Sequence, residues 1–337
     1  MKRRTETDMN IKEVAKLAGV SNSAVSRYFN NRSLSAEKRE AIRKAVEETG
    51  YRPSPQAQTL RTGRTHIIGV IMPQVNSTPV GNMIKGMLSV LSDNGYQLLL
   101  ADTQNDPARE LEYLSVFGEK QVDGIILMGT IFSPAHRKAL KHLELPLVVI
   151  GQKLAGRHCV YFDDYHSVYA TTRLLIGKGC RRIGFLSAFH ADEAAGRDRY
   201  LGFSDALKKH GLVEWQRCYE IADFSIESGY QKVQDLLKKH GPLDGLVCAT
   251  DAIATGAMQY LKEAGIAVPG DILVTGHGDT ELSRVTTPTL TTVRYEYQES
   301  GALAARMLLE QLGKEGSTVE EMMLGYKVVE RESSTAS

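Results

Sequence analysis

The sequence predicts an α/β protein of two unlike parts, a short helical head and a long body of parallel sheets flanked by helices. Three observations carry this. The chain has 337 residues, too many for one typical domain and suited to a small unit followed by a large one. Its net charge of +1 hides an asymmetry: residues 1–66 hold 14 Lys and Arg against 7 Asp and Glu, whereas the rest hold 27 against 33. At His66 short polar helical patterns give way to apolar runs alternating with amphipathic stretches.

Residues 1–9 are polar and read as a disordered tail. In Asn10–Asn31 the apolar residues Ile11, Val14, Ala15 and Ala18 fall on one face at helical spacing. Gly19 suits the left-handed position after a helix, Val20 a buried staple and Ser21 an N-cap. A second helix follows over Asn22–Asn30, with Val25 and Phe29 turned inward. Two short helices joined by such a turn make a helix-turn-helix. A third helix, Ala36–Thr49, has Ser35 as its cap and Ile42, Ala45 and Val46 as its buried stripe. The outward face of the second helix carries Asn22, Ser23, Ser26 and Arg27, short polar side chains and one arginine that suit base edges in a major groove. The surplus of positive charge in the head supports nucleic acid as its partner; a basic tail serving only solubility is the plainer alternative.

The connector contains one more helix signal. Ser54 suits a cap, Pro55 the first turn and Gly63 the end. A helix over Pro55–Thr62 is too short to hold in water without a partner. Its outward apolar residue is Leu60, which would wedge into a minor-groove step as the segment folds on DNA; a plain linker is the alternative.

In the body the apolar runs are Ile67–Met72, Tyr96–Ala101, Gly124–Met128, Leu145–Ile150, Ile183–Leu186, Leu243–Ala249 and Ile272–Thr275. Each is short and rich in Ile, Val or Leu, as strands buried on both faces are. Between them lie helical patterns at Val80–Asn94, Ala108–Lys120, Ser167–Lys178, Arg199–His210, Ser228–His240 and Ala252–Ala264. Such alternation implies doubly wound parallel sheets, which take ligands beyond the carboxyl ends of their strands.

Other classes are argued against. No run of 18 apolar residues occurs, and the charged N-terminus lacks the apolar stretch of a signal peptide. Cys159, Cys180, Cys218 and Cys248 form no C-x-x-C pair, so reduced thiols in a cytoplasmic, nucleoid-associated protein are expected, with no metal. Nucleotide-binding glycine motifs, H-E-x-x-H and G-x-S-x-G are missing, so neither enzyme activity nor a cofactor is expected. His190, Asp192 and Glu193 cluster in a loop and read as solvated.

The residues also carry a resemblance. Ile11–Ser21, Val25-Ser26-Arg27, Gly50-Tyr51-Arg52-Pro53, Leu60–Thr65, Asn105-Asp106-Pro107, Val122–Ile126, Gly265–Ile272 and Pro288–Val293 resemble the LacI/GalR family of bacterial regulators over roughly Asn10 to Glu330. The resemblance implies a repressor that binds double-stranded, pseudo-palindromic operator DNA as a homodimer, away from membranes, under allosteric control by a small sugar. It implies a head at 10–53, a hinge helix and linker at 54–65, and an effector-binding and dimerisation domain at 66–337. That domain is of periplasmic-binding-protein type, with subdomain one at 66–163 and 294–323 and subdomain two at 164–293 and 324–337. The implied DNA-binding residues are Ser21, Asn22, Ser23, Ser26, Arg27, Asn30, Ser54, Ala57, Leu60 and Arg61. The implied effector-binding residues are Asn76, Ser77, Gln152, Arg199, Phe224, Thr250, Asp251, Asp279 and Tyr295.

Some positions depart from the family. Thr250-Asp251 stands where Asn-Asp is common, Gly278-Asp279 where Asp-Asp is, and Gly151-Gln152 where Asp-Arg is. Two frequent hydroxyl acceptors are therefore missing, and the chain looks most like the sucrose-operon regulators, less like the trehalose regulators. Arg199 alone stands out as a basic site residue, which favours an uncharged sugar over a sugar phosphate. Residues 330–337 carry no leucine heptad, so a dimer is expected rather than a tetramer. Two alternatives remain: a global catabolite-control regulator whose co-effector is a phosphorylated carrier protein, and a sugar-binding or enzymatic protein with a vestigial head.

Overall fold

The computed structural model describes residues 10–29, 33–51, 63–119, 121–313 and 318–335. The chain divides into two compact units, Met1–Thr65 and His66–Ser337.

The head is a three-helix unit, and its boundaries follow from its caps. Helix α1 (Ile11–Leu17) starts with a capping box in which Asn10 and Glu13 satisfy each other's backbone amides. It ends in a Schellman motif: Val20 N–H donates to Ala15 at 3.0 Å and Gly19 N–H to Lys16 at 3.3 Å, with Gly19 at φ 64°. Helix α2 (Asn22–Phe29) is capped by Ser21 Oγ, which accepts from Ala24 N–H at 3.2 Å. Helix α3 (Ala36–Thr49) runs from Ser35 to Gly50. Val14, Ala15, Ala24, Val25, Ile42 and Ala45 form the small core, with Val20, Phe29 and Val46 half-buried around it. Val20 is thus less buried than expected, because it closes the turn at the rim of the core.

The body has two lobes. Lobe one is built on β1 (Ile67–Met72), β2 (Gln97–Asp102), β3 (Gly124–Met128), β4 (Leu147–Ile150), β5 (His158–Phe162) and β11 (Glu321–Leu324). They form one parallel sheet in the order β11-β5-β4-β3-β1-β2. Alternate residues of each strand feed opposite layers. Ile68, Ile126 and Val148 pack under α4 (Thr78–Leu91) and α12 (Tyr297–Gly313), whereas Ile71, Ile125 and Leu147 pack under α5 (Pro107–Gly118) and α6 (Pro134–His142). Lobe two carries the parallel sheet β7-β6-β8-β9, from β6 (Ile183–Ser187), β7 (Tyr219–Ile221), β8 (Gly245–Cys248) and β9 (Leu273–Thr275). Around it lie α7 (Asp164–Gly177), α8 (Arg199–Lys209), α9 (Ile226–His240) and α10 (Asp251–Glu263). A short α11 (Leu282–Val285) follows β9.

The chain passes between the lobes between β5 and α7, along β10 (Thr292–Tyr295), and along β12 (Tyr326–Val329). The last two pair antiparallel. The seven apolar runs all become strands: β1 and β3 keep the expected bounds, β6 gains one residue, and the other four are shortened or shifted by one or two residues at an end. Apart from α8, which begins at Arg199 as expected, the expected body helices begin earlier than their apolar periodicity, because the starts are fixed by caps and prolines: Ser77 and Pro79 for α4, Asp106 and Pro107 for α5, Asp163 for α7. Strands β5, β7, β10, β11 and β12 and helices α6, α11 and α12 add to the expected set.

Candidate functional site

A cavity of about 350 Å³ opens at the carboxyl ends of the strands between the two lobes, the position that doubly wound sheets favour. Lobe one brings Gln74, Asn76 and Ser77 after β1, Asn105 after β2, Gly129 and Thr130 after β3, and Gly151 and Gln152 after β4. Lobe two brings Asp164 at the start of α7, Asp192 and Arg199 around the start of α8, Phe224, Thr250 and Asp251 at the start of α10, and His277 after β9.

Arg199 is the buried centre of this wall. Its Nε and Nη2 each lie 2.7 Å from Asp164 Oδ1, and its Nη1 donates to the Ala249 carbonyl at 2.5 Å. Burial alone would pull its pKa down; the charge and hydrogen bond of Asp164, together with Tyr295 and Tyr297, outweigh burial and keep the guanidinium ionised. Three of its five N–H groups are therefore spent inside the protein, and two remain for a bound molecule. Asp251 is 1% exposed. Its carboxylate accepts from Thr292 Oγ1 (2.5 Å), Thr280 N–H (2.7 Å) and Thr280 Oγ1 (2.9 Å). Burial raises its pKa in spite of these bonds. Thr250 caps α10 through Ile253 N–H.

Just before α8 the backbone makes a π turn, Glu193–Asp198, so that i→i+5 bonding replaces the α pattern immediately ahead of Arg199. Asp192 caps this turn by accepting from Ala195 N–H at 2.9 Å. Inside it Gly196 rides over the backbone of Phe189, and a Cβ there would sit 2.1 Å from the Phe189 oxygen. Only glycine fits.

Seven of the nine residues expected at the effector site line this cavity: Asn76, Ser77, Gln152, Arg199, Phe224, Thr250 and Asp251. Two do not. Asp279, at φ 45°, turns its carboxylate to Arg331 (2.5 Å), Arg294 (2.6 Å) and Arg284 (3.3 Å). Burial would raise its pKa, but Arg331 and Arg294 hold it below the usual range. It ties the crossing strands together instead of facing the cavity. Tyr295 is 3% exposed and lies behind the wall. Its hydroxyl is 2.7 Å from Ser167 Oγ and donates to Asp164 at 3.2 Å, while the neighbouring Tyr297 reaches the cavity. The loop cluster expected to be solvated is not: Asp192 is buried and lines the cavity, and His190 is half-buried against the rings of Tyr200 and Tyr219. Only Glu193 is exposed. Asp164, Asp192 and His277 stand in the wall without having been expected there. For Asp164 the available signal was an acidic residue capping a helix directly after an apolar strand.

In the head, Ser21, Asn22, Ser23 and Arg27 are exposed on one side of α2 and Ser26 is half-buried. Ser21 Oγ and Ser23 Oγ are 2.8 Å apart. Asn30, Ser54, Ala57, Leu60 and Arg61 lie outside the described residues. Among the described residues no group of His, Cys, Asp and Glu could hold a metal ion, and no helix is long and apolar enough to cross a membrane.

Residues 10–54 match the pattern of bacterial regulatory proteins of the lacI family, and residues 172–334 match a periplasmic binding protein-like domain. The HTH-type transcriptional regulator RegA of Clostridium saccharobutylicum is 31% identical over 327 residues, 96% of this chain and 98% of its own length. The sucrose operon repressor of Staphylococcus xylosus is 31% identical over 90% of this chain and 93% of its own. Among solved structures, a complex of the transcriptional regulator CelR with cellobiose superposes with a TM-score of 0.74 at 26% identity, over 96% of this chain and 99% of that one. A helix-turn-helix head with polar side chains presented on α2, a two-lobed body with a cavity at its strand ends and full-length likeness to such regulators converge: the chain belongs to the lacI family of bacterial regulatory proteins, DNA-binding transcriptional regulators rather than enzymes.

Proposed function

We propose that this regulator is a cytoplasmic, nucleoid-associated homodimer that represses a carbohydrate-utilisation operon and is controlled by a small uncharged sugar in the cavity between its lobes. The observation that carries the reading is the cavity itself. Its wall offers amide, hydroxyl and guanidinium groups in convergent positions, with Phe224 and Tyr297 as flat apolar surfaces, the set a polyhydroxyl ring requires. The sucrose operon repressor and the CelR–cellobiose complex among the similar proteins support a sugar, with a sucrose-type disaccharide or its product as the best match. Asn22, Ser23 and Arg27 read bases of each half-site of a pseudo-palindromic operator, with Ser21 and Ser26 beside them. A hinge formed by Ser54, Ala57, Leu60 and Arg61 couples the reader to the body. The second copy covers the apolar side of lobe one, where Leu88 of α4 and Leu99 and Leu100 of the edge strand β2 are each about two-fifths exposed.

The test is a titration of the full chain onto operator DNA selected from random sequence, with and without sucrose and cellobiose, together with sedimentation of the free protein. A dimer whose operator affinity falls at least tenfold with sugar supports the reading, and reciprocity then requires DNA to weaken sugar binding by the same factor. A monomer, or an affinity that neither sugar alters, sinks it. The alternative, a global regulator whose co-effector is a phosphorylated carrier protein docking on lobe one, predicts no sugar effect and tighter DNA binding with that carrier.

A further inference from the structure

Lobe one buries an ionisable pair next to the loops that form its side of the cavity. Glu110 stands in the first turn of α5 and His136 in the first turn of α6. They are 4% and 1% exposed, with Glu110 Oε1 and His136 Nε2 3.4 Å apart. Neither atom has a formed hydrogen bond among the described residues. On the other side of the ring, Nδ1 lies 2.7 Å from the Oγ of Ser133, the cap of α6. Both helices begin just after cavity loops. Asn105 lines the cavity, and Asp106 and Pro107 open α5 directly after it. Gly129 and Thr130 line it too, and the ring of Phe132, next to Ser133, packs on Gly129 so closely that a Cβ would not fit there.

A buried carboxyl and imidazole that face each other are satisfied by one proton between them. With it, one group donates to the other and the pair carries no net charge. Without it, a carboxylate is left buried beside no cation, which is costly. The imidazole must then turn its single N–H toward Glu110 and accept from the Ser133 hydroxyl instead. We propose that Glu110 and His136 are positioning residues for the effector: sharing one proton, they clamp the first turns of α5 and α6 together and so hold Asn105, Gly129 and Thr130 in the cavity wall. This rests on the cavity being the effector site. Burial alone raises the Glu110 pKa to about 7, and burial also holds His136 below its ordinary value against the pull of the Pro107 carbonyl. The other titratable side chains packed in this layer are Tyr113, Tyr161 and Cys159. The charged neighbours Arg109 and Arg137 are exposed on the same two helices, and Arg157 donates to the Leu140 carbonyl near the end of α6. The shared proton is therefore held below about pH 7 and lost as pH rises through that value, and sugar affinity weakens with it.

The experiment uses the full chain, the probes sucrose and cellobiose, and two variants. Glu110→Gln keeps the shape and can donate to Nε2 but cannot ionise; Glu110→Leu can do neither. For whichever sugar the wild type binds, affinity read by calorimetry falls about threefold or more from pH 6.5 to pH 8.5. Glu110→Gln matches the wild type at pH 6.5 and loses the fall, whereas Glu110→Leu binds weakly at both. A flat wild-type profile, or the same fall in Glu110→Gln, overturns the clamp. A second measurement needs neither a sugar nor the Leu variant. Amide hydrogen exchange in peptides spanning 103–112 and 128–138 is compared between the wild type and Glu110→Gln at one pH, so that the intrinsic effect of pH cancels. The two exchange alike at pH 6.5, and the wild type exchanges faster at pH 8.5. Equal exchange at both overturns the clamp. If neither sugar binds, the effector reading fails for these probes, while the exchange comparison still decides the clamp.

Discussion

The two walls of the cavity are made of different chemistry. Lobe one contributes side chains that do not ionise near neutral pH, Gln74, Asn76, Ser77, Asn105, Thr130 and Gln152, with Tyr297 at the edge. Lobe two contributes Asp164, Asp192, Arg199, Asp251 and His277. Most of the charge in lobe two is already matched inside the lobe or by the strands that cross to it, Arg199 by Asp164 and Asp251 by Thr280 and Thr292. Unpaired buried charge is far more costly than a buried amide, so the charged wall must be assembled during folding, whereas the neutral wall is free to meet a ligand later. On the proposed reading, lobe two is the fixed reference surface against which lobe one would read the pattern of hydroxyls.

The largest effect that could break this contrast is in the charged wall. Arg199→Ala leaves Asp164 buried and unpaired, and a loss of about 3–5 kcal/mol of stability is expected, measured by urea unfolding; a loss under about 1 kcal/mol would show that the wall is not held by this pair. The next concerns the ionisable pair that lobe one keeps behind its sheet. Glu110 and His136 are buried 3.4 Å apart between α5 and α6, outside the cavity wall. Burial raises Glu110 to about 7 and holds His136 below its usual pKa. Glu110 therefore contributes stability below its unfolded pKa near 4.5 and loses it as pH rises through about 7. Glu110→Gln should remove on the order of 1 kcal/mol of the fall in stability between pH 6 and 8, followed by thermal melting; an unaltered pH profile would place the ionised form comfortably in the lobe. The smallest effect is in the neutral wall. Asn76→Ala should change stability by no more than about 0.5 kcal/mol while weakening sugar binding by about 0.5–1.5 kcal/mol, read by calorimetry. A change in stability as large as that of Arg199→Ala would erase the distinction between the walls.

What was legible in the sequence follows the range of the interactions. The head was legible in outline because its signals are local: Gly19, Ser21 and Ser35 each act within five residues of where they stand. Most of the apolar strands were legible because they are buried on both faces, and the edge strand β2 because its exposed positions still carry Leu99 and Leu100. Strand β11 was not, since as an edge strand it is largely exposed, and β10 and β12 mix polar and apolar residues where they cross between lobes. Of the effector residues that the family resemblance implied, those that follow a strand closely, such as Gln152 and Thr250, do line the cavity. Asp279 and Tyr295 do not, because what decides their direction is distant in sequence: Arg331 for the first, Ser167 and Asp164 for the second.

The π turn ahead of Arg199 has a consequence of another kind. A π turn holds one residue more than the α turn it replaces, so it amounts to a single insertion absorbed without breaking the helix. Removing one residue between Glu193 and Asp198 would restore α geometry and rotate everything before it by about 100° relative to α8. Asp192 would then leave the cavity while every lining side chain kept its identity. Relatives with the same residues in their walls could respond to different molecules through a change in length alone, and a comparison that scores only substitutions would pass over it.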